Sequence, residues 1–195
     1  MPVMQRRAQD TRSGLLRAAH EIFTEVGFTQ ANVADVVARA SSSVGSMYHH
    51  FGGKADLYIA LYEDYENRQQ SRADLAVRQA RVAGEQDRVR LFASGARAYL
   101  MGAWQERDLA RMFVSGDHPP GFDLTVRSEF VTWLTRSGGL LWDGNPGTPQ
   151  TQAYALVLTT VIGAGSRAVT AEDDESQAMA LADEVIKLIE RLAGD

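Results

Sequence analysis

The sequence predicts an all-α protein of about nine helices, with an N-terminal three-helix domain containing a helix-turn-helix and a longer helical domain behind it. Three observations carry that prediction. Apolar residues recur at intervals of three and four along most of the 195-residue chain. The breaks between these runs are short and rich in Ser, Gly, Pro and Asp. The stretch from Asn32 to Lys54, NVADVVARASSSVGSMYHHFGGK, reads as two short helices joined by a tight turn.

The first helix is expected from about Thr11 to Val26. Leu15, Ala19, Ile22, Phe23 and Val26 form its apolar stripe, and Gly27 stands where a glycine ends a helix. Arg6, Arg7 and Arg12, at and before its start, either touch DNA or belong to a solvated terminus. His20 reads as a packed or surface histidine. Asn32 is a good N-cap for the second helix, and Asp35 places a carboxylate where the helix dipole favours one. Val33, Val36, Val37 and Ala40 give that helix one apolar face. Ser41 to Ser43 make the break. Val44, Met47, Tyr48 and Phe51 then repeat the spacing in a third helix. Its other face shows Gly45, Ser46, His49 and His50, with no acid to repel phosphate. Two short helices about such a turn describe a helix-turn-helix, whose second helix reads base edges in a major groove. His49 and His50 are adjacent, whereas helical metal pairs sit three or four residues apart, so no metal is expected there.

Longer helices follow. The fourth is expected from about Ala55 to Val82, roughly 40 Å at 1.5 Å per residue, with Leu57, Leu61 and Tyr65 near its start. The fifth spans about Glu85 to Gln105, with Val89, Phe92, Ala96, Tyr99, Leu100 and Ala103 inward. A short sixth carries Leu109, Met112 and Phe113 and stops before the Asp117–Gly121 turn. The seventh runs from about Phe122 to Leu141, and residues 143–149 form a turn-rich loop. Two helices close the chain, about Pro149–Val169 and Glu175–Ala193. Gly163, Ala164, Gly165 and Ala168 lie within the first of these. A mid-helix glycine costs about 1 kcal/mol relative to alanine, so a close helix crossing is expected as compensation.

Composition excludes several classes. With 45% apolar residues the chain can bury a sizeable core. It has no cysteine, so disulfides, thiolate metal sites and thiol catalysis are excluded. The N-terminus lacks the apolar run of a signal peptide, and no segment has about 20 uninterrupted apolar residues; a soluble, cytoplasmic protein is expected. Net charge is −5, but residues 1–54 hold six Lys and Arg against four acids, 6 − 4 = +2, leaving −5 − 2 = −7 for the rest. A basic head on an acidic body is the asymmetry expected when one end meets phosphate.

From about Arg12 to Tyr62 the chain resembles the N-terminal domain of the TetR (tetracycline-repressor) family of bacterial transcription regulators. The resemblance rests on Leu15, Ala18, Ala19, Phe23, Gly27, Phe28, Val33, Asp35, Val36 and Ala40. It continues through Gly45, Met47, Tyr48, His50, Phe51, Lys54, Leu57 and Leu61. It implies a homodimer, bound to a double-stranded operator that is an inverted repeat and released by a small molecule held in the C-terminal domain. Residues 1–54 would then be the DNA-binding domain and 55–195 the domain for effector and dimerisation. Tyr48 and Lys54 would hold phosphates. Gln30, Ala31 and Asn32 would add contacts, and Ser43, Val44, Gly45, Ser46, Met47 and His49 would face the bases. For Met47 a plain core role is the competing reading. The last two helices would form a four-helix dimer interface. Tyr99, Trp104, Phe113, Phe122, Phe130, Trp133 and Tyr154 would line a mostly apolar effector cavity, with Arg97, His118 or Arg127 as polar groups; the competing reading for each aromatic is plain core. No cofactor is implied.

Two positions depart from the family. Ser41 and Ser42 stand where the turn usually has glycine and an apolar residue, and serine in a left-handed conformation costs roughly 1 kcal/mol. Val44 stands where a polar or basic residue is usual. No arginine lies on the recognition helix, so readout leaning on thymine methyls, Ser or His hydrogen bonds and DNA shape is expected. No catalytic arrangement supports an enzyme. A helical carrier or enzyme without DNA binding, or a structural or protein-binding bundle, is the alternative, and salt-sensitive retention on DNA separates them.

Overall fold

A computed structural model of the chain describes residues 3–142 and 148–194; most of the loop expected at 143–149 lies outside the described residues. Among the described residues there are nine helices: α1 Val3–Gln30, α2 Val33–Arg39, α3 Val44–His50, α4 Lys54–Val82, α5 Arg88–Gln105, α6 Arg107–Val114, α7 Phe122–Leu141, α8 Pro149–Ala171 and α9 Glu175–Gly194. They divide into two compact units, residues 1–65 with 112–125, and residues 66–111 with 126–195. This division differs from the expected boundary after residue 54. The start of α4, the end of α6 and the start of α7 bury aromatic rings with the head.

In the first unit, α1 begins earlier than its apolar stripe suggests and is broken at Gly27, whose φ of 78° leaves the helical region. Leu15, Phe23, Val36, Met47, Phe51 and Leu57 are buried between the short helices. Tyr58 and Tyr62 from α4 meet Phe113 and Phe122 edge-on, with centroids 5.0–5.5 Å apart. Burial, aided by the charge of Asp117, pushes the Tyr58 phenol pKa up. Phe113 and Phe122 are thus core of this unit. Their expected place in an effector cavity is corrected.

The turn after α2 has a defined geometry. The Ser42 N–H donates to the Val37 carbonyl (2.9 Å) and the Ser41 N–H to the Ala38 carbonyl (3.1 Å), the Schellman pattern, with Ser41 at φ 49°. The left-handed serine is real. Ser41→Gly relieves its Cβ strain, and we expect a gain of about 0.5–1 kcal/mol in denaturant unfolding, net of the extra freedom glycine gives the unfolded chain. No gain would mean that this turn stores no strain.

In the second unit α5, α8 and α9 share one core, including Phe92, Leu100, Leu158, Val169, Ile186 and Ile189. Of the mid-helix glycines, Gly165 sits at a close crossing, whereas a Cβ on Gly163 would meet nothing within 4 Å. A Cβ on Gly165 would lie 3.1 Å from a Val185 methyl. α8 starts on a capping box between Thr148 and Thr151 with Pro149 in its first turn. At its other end the Arg111 guanidinium donates to the carbonyls of Thr170 (2.5 Å), Ala171 (3.2 Å) and Glu172 (3.0 Å). Among the described residues α8 alone is long and apolar enough, by length and composition, to cross a membrane. Leu158 and Val169 nevertheless face the shared core.

Glu106, at the C-cap of α5, accepts hydrogen bonds from Arg68 and Arg72 of α4 and from Gln69. Burial alone would raise its carboxyl pKa. The two guanidiniums more than offset that and hold it below the ordinary carboxylate range.

Candidate nucleic-acid interface and ligand cavity

The third helix is short because its caps fix it. The Ser43 hydroxyl accepts from the Ser46 N–H (3.1 Å), and the Phe51 N–H closes the end on the Met47 carbonyl (2.8 Å). Seven residues give two turns and hence two faces. Met47 is 0% exposed and packs inward with Phe51. Outward stand Val44 (47% exposed), Gly45, Tyr48 (53% exposed) and His49, with Ser46 half-buried beside them. A valine and a tyrosine thus face solvent on adjacent turns.

Not every expected contact residue reaches this surface. Met47 is core, which removes it from the base-contacting set. Ala31 is buried too, so its side chain reaches no nucleic acid. Gln30 is exposed. Asn32 caps α2, its side-chain oxygen accepting from the Asp35 N–H (2.9 Å) and its amide donating to the Asp35 carboxylate. Both ends of that side chain are in use.

Lys54 is placed differently from the phosphate contact expected. Its ammonium donates to the carbonyls of Phe28 (2.8 Å), Thr29 (3.3 Å) and Ala31 (2.8 Å) and lies 4.5 Å from the centre of the Phe28 ring. Three donors meet three acceptors. The lysine fastens the start of α4 to the Phe28–Ala31 segment that leads into α2. Asp117 holds the same segment from the other side, accepting from the Thr29 hydroxyl and N–H. The Thr29 hydroxyl, then its backbone N–H and the Lys54 charge, draw the Asp117 pKa below its ordinary value. Sequence reasoning missed Asp117. It saw only a turn before two prolines.

The basic surplus of the head is also partly used internally. Arg39 pairs with Glu25 (2.6 Å) and Glu21 (3.6 Å), and the Arg12 guanidinium sits 5.2 Å from the centre of the Phe51 ring. Arg6, Arg7 and Arg17 are exposed.

The second unit contains a cavity of about 360 Å³ between α4, α5, α7 and α8. Tyr99, Phe130 and Trp133 line it as expected. The Tyr99 and Trp133 rings meet edge-on at 5.0 Å, and the Trp133 indole N–H donates to Glu66 (2.9 Å). Trp104 and Tyr154 are outside this lining: Trp104 stacks under Arg107, and Tyr154 packs near Trp142. Of the expected polar groups, Arg97 pairs with Asp183, His118 packs on Phe122 in the first unit, and Arg127 is not among the lining residues. The polar lining comes instead from Gln70, Asp74, Arg78 and Arg81 of α4, Arg136 and Ser137 of α7, and Thr159 of α8. The α4 set is spaced at three and four, a signal present in the sequence.

Residues 15–61, spanning α1 to α4 of the head, match the family described as bacterial regulatory proteins, tetR family. That match places residues 15–61 in the tetR family. Among similar proteins, UidR of Escherichia coli K12, an HTH-type transcriptional regulator, is 43% identical over 61 residues, 31% of this chain and 31% of its own length. CymR of Pseudomonas putida, also an HTH-type transcriptional regulator, is 29% identical over 181 residues, 87% of this chain and 84% of its own. The solved structure of a TetR-family regulator from Syntrophomonas wolfei superposes with a TM-score of 0.76 at 17% identity, covering 96% of both chains. The chain spans about a third of the length of UidR.

Proposed function

We propose that this chain is a sequence-specific DNA-binding transcription regulator of the tetR family and not an enzyme, acting in the cytoplasm as a repressor that a small, largely hydrophobic effector releases from an inverted-repeat operator. The outward face of α3 carries the reading. Val44, Gly45, Tyr48 and His49 face solvent on a helix with no acidic side chain, while the fold takes only Met47 and Phe51. Tyr48 and the exposed Arg6, Arg7 and Arg17 supply hydroxyl and charge for phosphates. Val44 suits thymine methyls, and His49 offers hydrogen bonds to base edges.

Gly45 supports the same reading. A Cβ built on it meets only Ser43 Oγ, at 4.0 Å, so nothing inside the chain requires glycine there. Alanine should stabilise α3 by about 0.5–1 kcal/mol. If the α3 backbone lies close against a major groove, Gly45→Ala instead weakens operator binding by about tenfold while raising the melting temperature. A variant that gains stability and binds DNA unchanged would contradict that close approach.

A second surface supports dimerisation. Leu156 and Val157 of α8 and Leu188 and Leu192 of α9 remain 45–48% exposed in the single chain. A second copy packed against these two helices covers them and places two heads for two half-sites. Sedimentation should show a dimer at micromolar concentration, and Leu188→Glu should yield monomer. The cavity of the second unit would hold the effector, which must prefer the state in which paired heads no longer fit successive grooves.

A further inference from the structure

The cavity between α4, α5, α7 and α8 has apolar walls and a charged mouth. Arg78, Arg81 and Arg136 line it and are exposed, so they stand at its opening. The acid beside them is Asp74, 4.0 Å from Arg136. Among the described residues Arg78 and Arg81 have no hydrogen-bond or ion-pair partner. Three arginines against one aspartate leave 3 − 1 = +2 at one apolar cavity, in a chain whose net charge is −5. At the buried side stands Thr159. It is 7% exposed, it lines the cavity, and its hydroxyl has no hydrogen-bond partner. A buried hydroxyl left unpaired is destabilising, and a ligand can satisfy it.

We infer that this cavity takes a small amphipathic carboxylate. Its ring or acyl body packs against Tyr99 and Trp133, its carboxylate meets Arg78 and Arg81, and a polar atom at its far end hydrogen-bonds Thr159. Guanidinium forks match a planar carboxylate in charge and geometry. A cavity of about 360 Å³ lies near the low end of the roughly 300–1,000 Å³ common for ligand sites, which suits one or two rings. The inference rests on the proposed effector role for the cavity and narrows it from a hydrophobic molecule to an anionic one.

The test uses the full chain, calorimetry, and three acids with their neutral primary amides: 2-naphthoate, 6-hydroxy-2-naphthoate and decanoate. We expect at least one acid to bind tenfold or more tightly than its amide. That preference should vanish in an Arg78→Gln, Arg81→Gln double variant, whose changed side chains are exposed and leave the fold intact by circular dichroism. Thr159→Val should abolish any advantage of the 6-hydroxy acid over 2-naphthoate. Equal binding of acids and amides, a preference that survives in the double variant, or no binding of any acid at millimolar concentration overturns the inference. DNA release is measured separately. Acid binding with the charge preference but no effect on DNA keeps the ligand class and refutes effector release, whereas release by amides and acids alike does the reverse.

Discussion

A Lys54→Met variant should lose about 2–4 kcal/mol of head stability. The lysine satisfies three carbonyls, two of them partly buried, where the chain turns from α1 into α2. A hydrogen bond from a charged donor contributes roughly 1.5–3 kcal/mol, and stacking over Phe28 adds a little. Methionine keeps the stem and removes every donor. Tryptophan fluorescence will not report the loss cleanly, because Trp104, Trp133 and Trp142 all belong to the second unit. Amide hydrogen exchange in α1 to α3 will. The variant also separates two roles for this residue. As an internal clasp, Lys54 contributes nothing to the salt dependence of DNA binding, so the slope of log K against log salt stays unchanged below the variant's melting point. A phosphate contact would instead lower that slope by about 1 with stability intact.

Glu106→Leu should destabilise the second unit by about 2–3 kcal/mol. The carboxylate is 18% exposed and joins Arg68 and Arg72, and its loss leaves two guanidiniums facing each other without that anion. Breaking a buried pair costs about 3–5 kcal/mol, and the figure is lowered here because the arginines are 37% and 34% exposed. The same group sets a pH dependence. Its folded pKa lies below the ordinary 4.5, so its contribution is fully present above that value and is lost as pH falls through the folded pKa. Denaturant titrations followed by tryptophan fluorescence at pH 7 and near pH 4 should show wild type losing more stability than Glu106→Leu. Equal losses would mean the arginines do not hold the carboxylate down.

Much of this was legible in the sequence because it is written in local pattern. The helix-turn-helix follows from apolar spacing, the Asn32 cap and the break at Ser41 to Ser43, and the strained Ser41 from a serine where the turn needs a left-handed residue. What escaped depends on contacts distant in the chain. Lys54 opens a helix, and nothing local shows that its ammonium meets carbonyls of residues 28 to 31, or that Asp117 reaches Thr29 across 88 positions. Phe113 and Phe122 are large and helical wherever they pack, so their size could not place them in a core or a cavity. Nothing local assigns the arginines of α4 to a cavity, because the ring-lined space beside them is built by α5, α7 and α8.

The measurement that bears most directly on function is selection of operator DNA from a random library by the purified full chain, at near-physiological salt. Enrichment of an inverted repeat with half-sites about one helical turn apart is the expected result, with binding lost in Tyr48→Ala while the fold is retained. No enriched sequence, with weak retention at every salt concentration and with or without the carboxylates named above, would contradict a DNA-binding regulator.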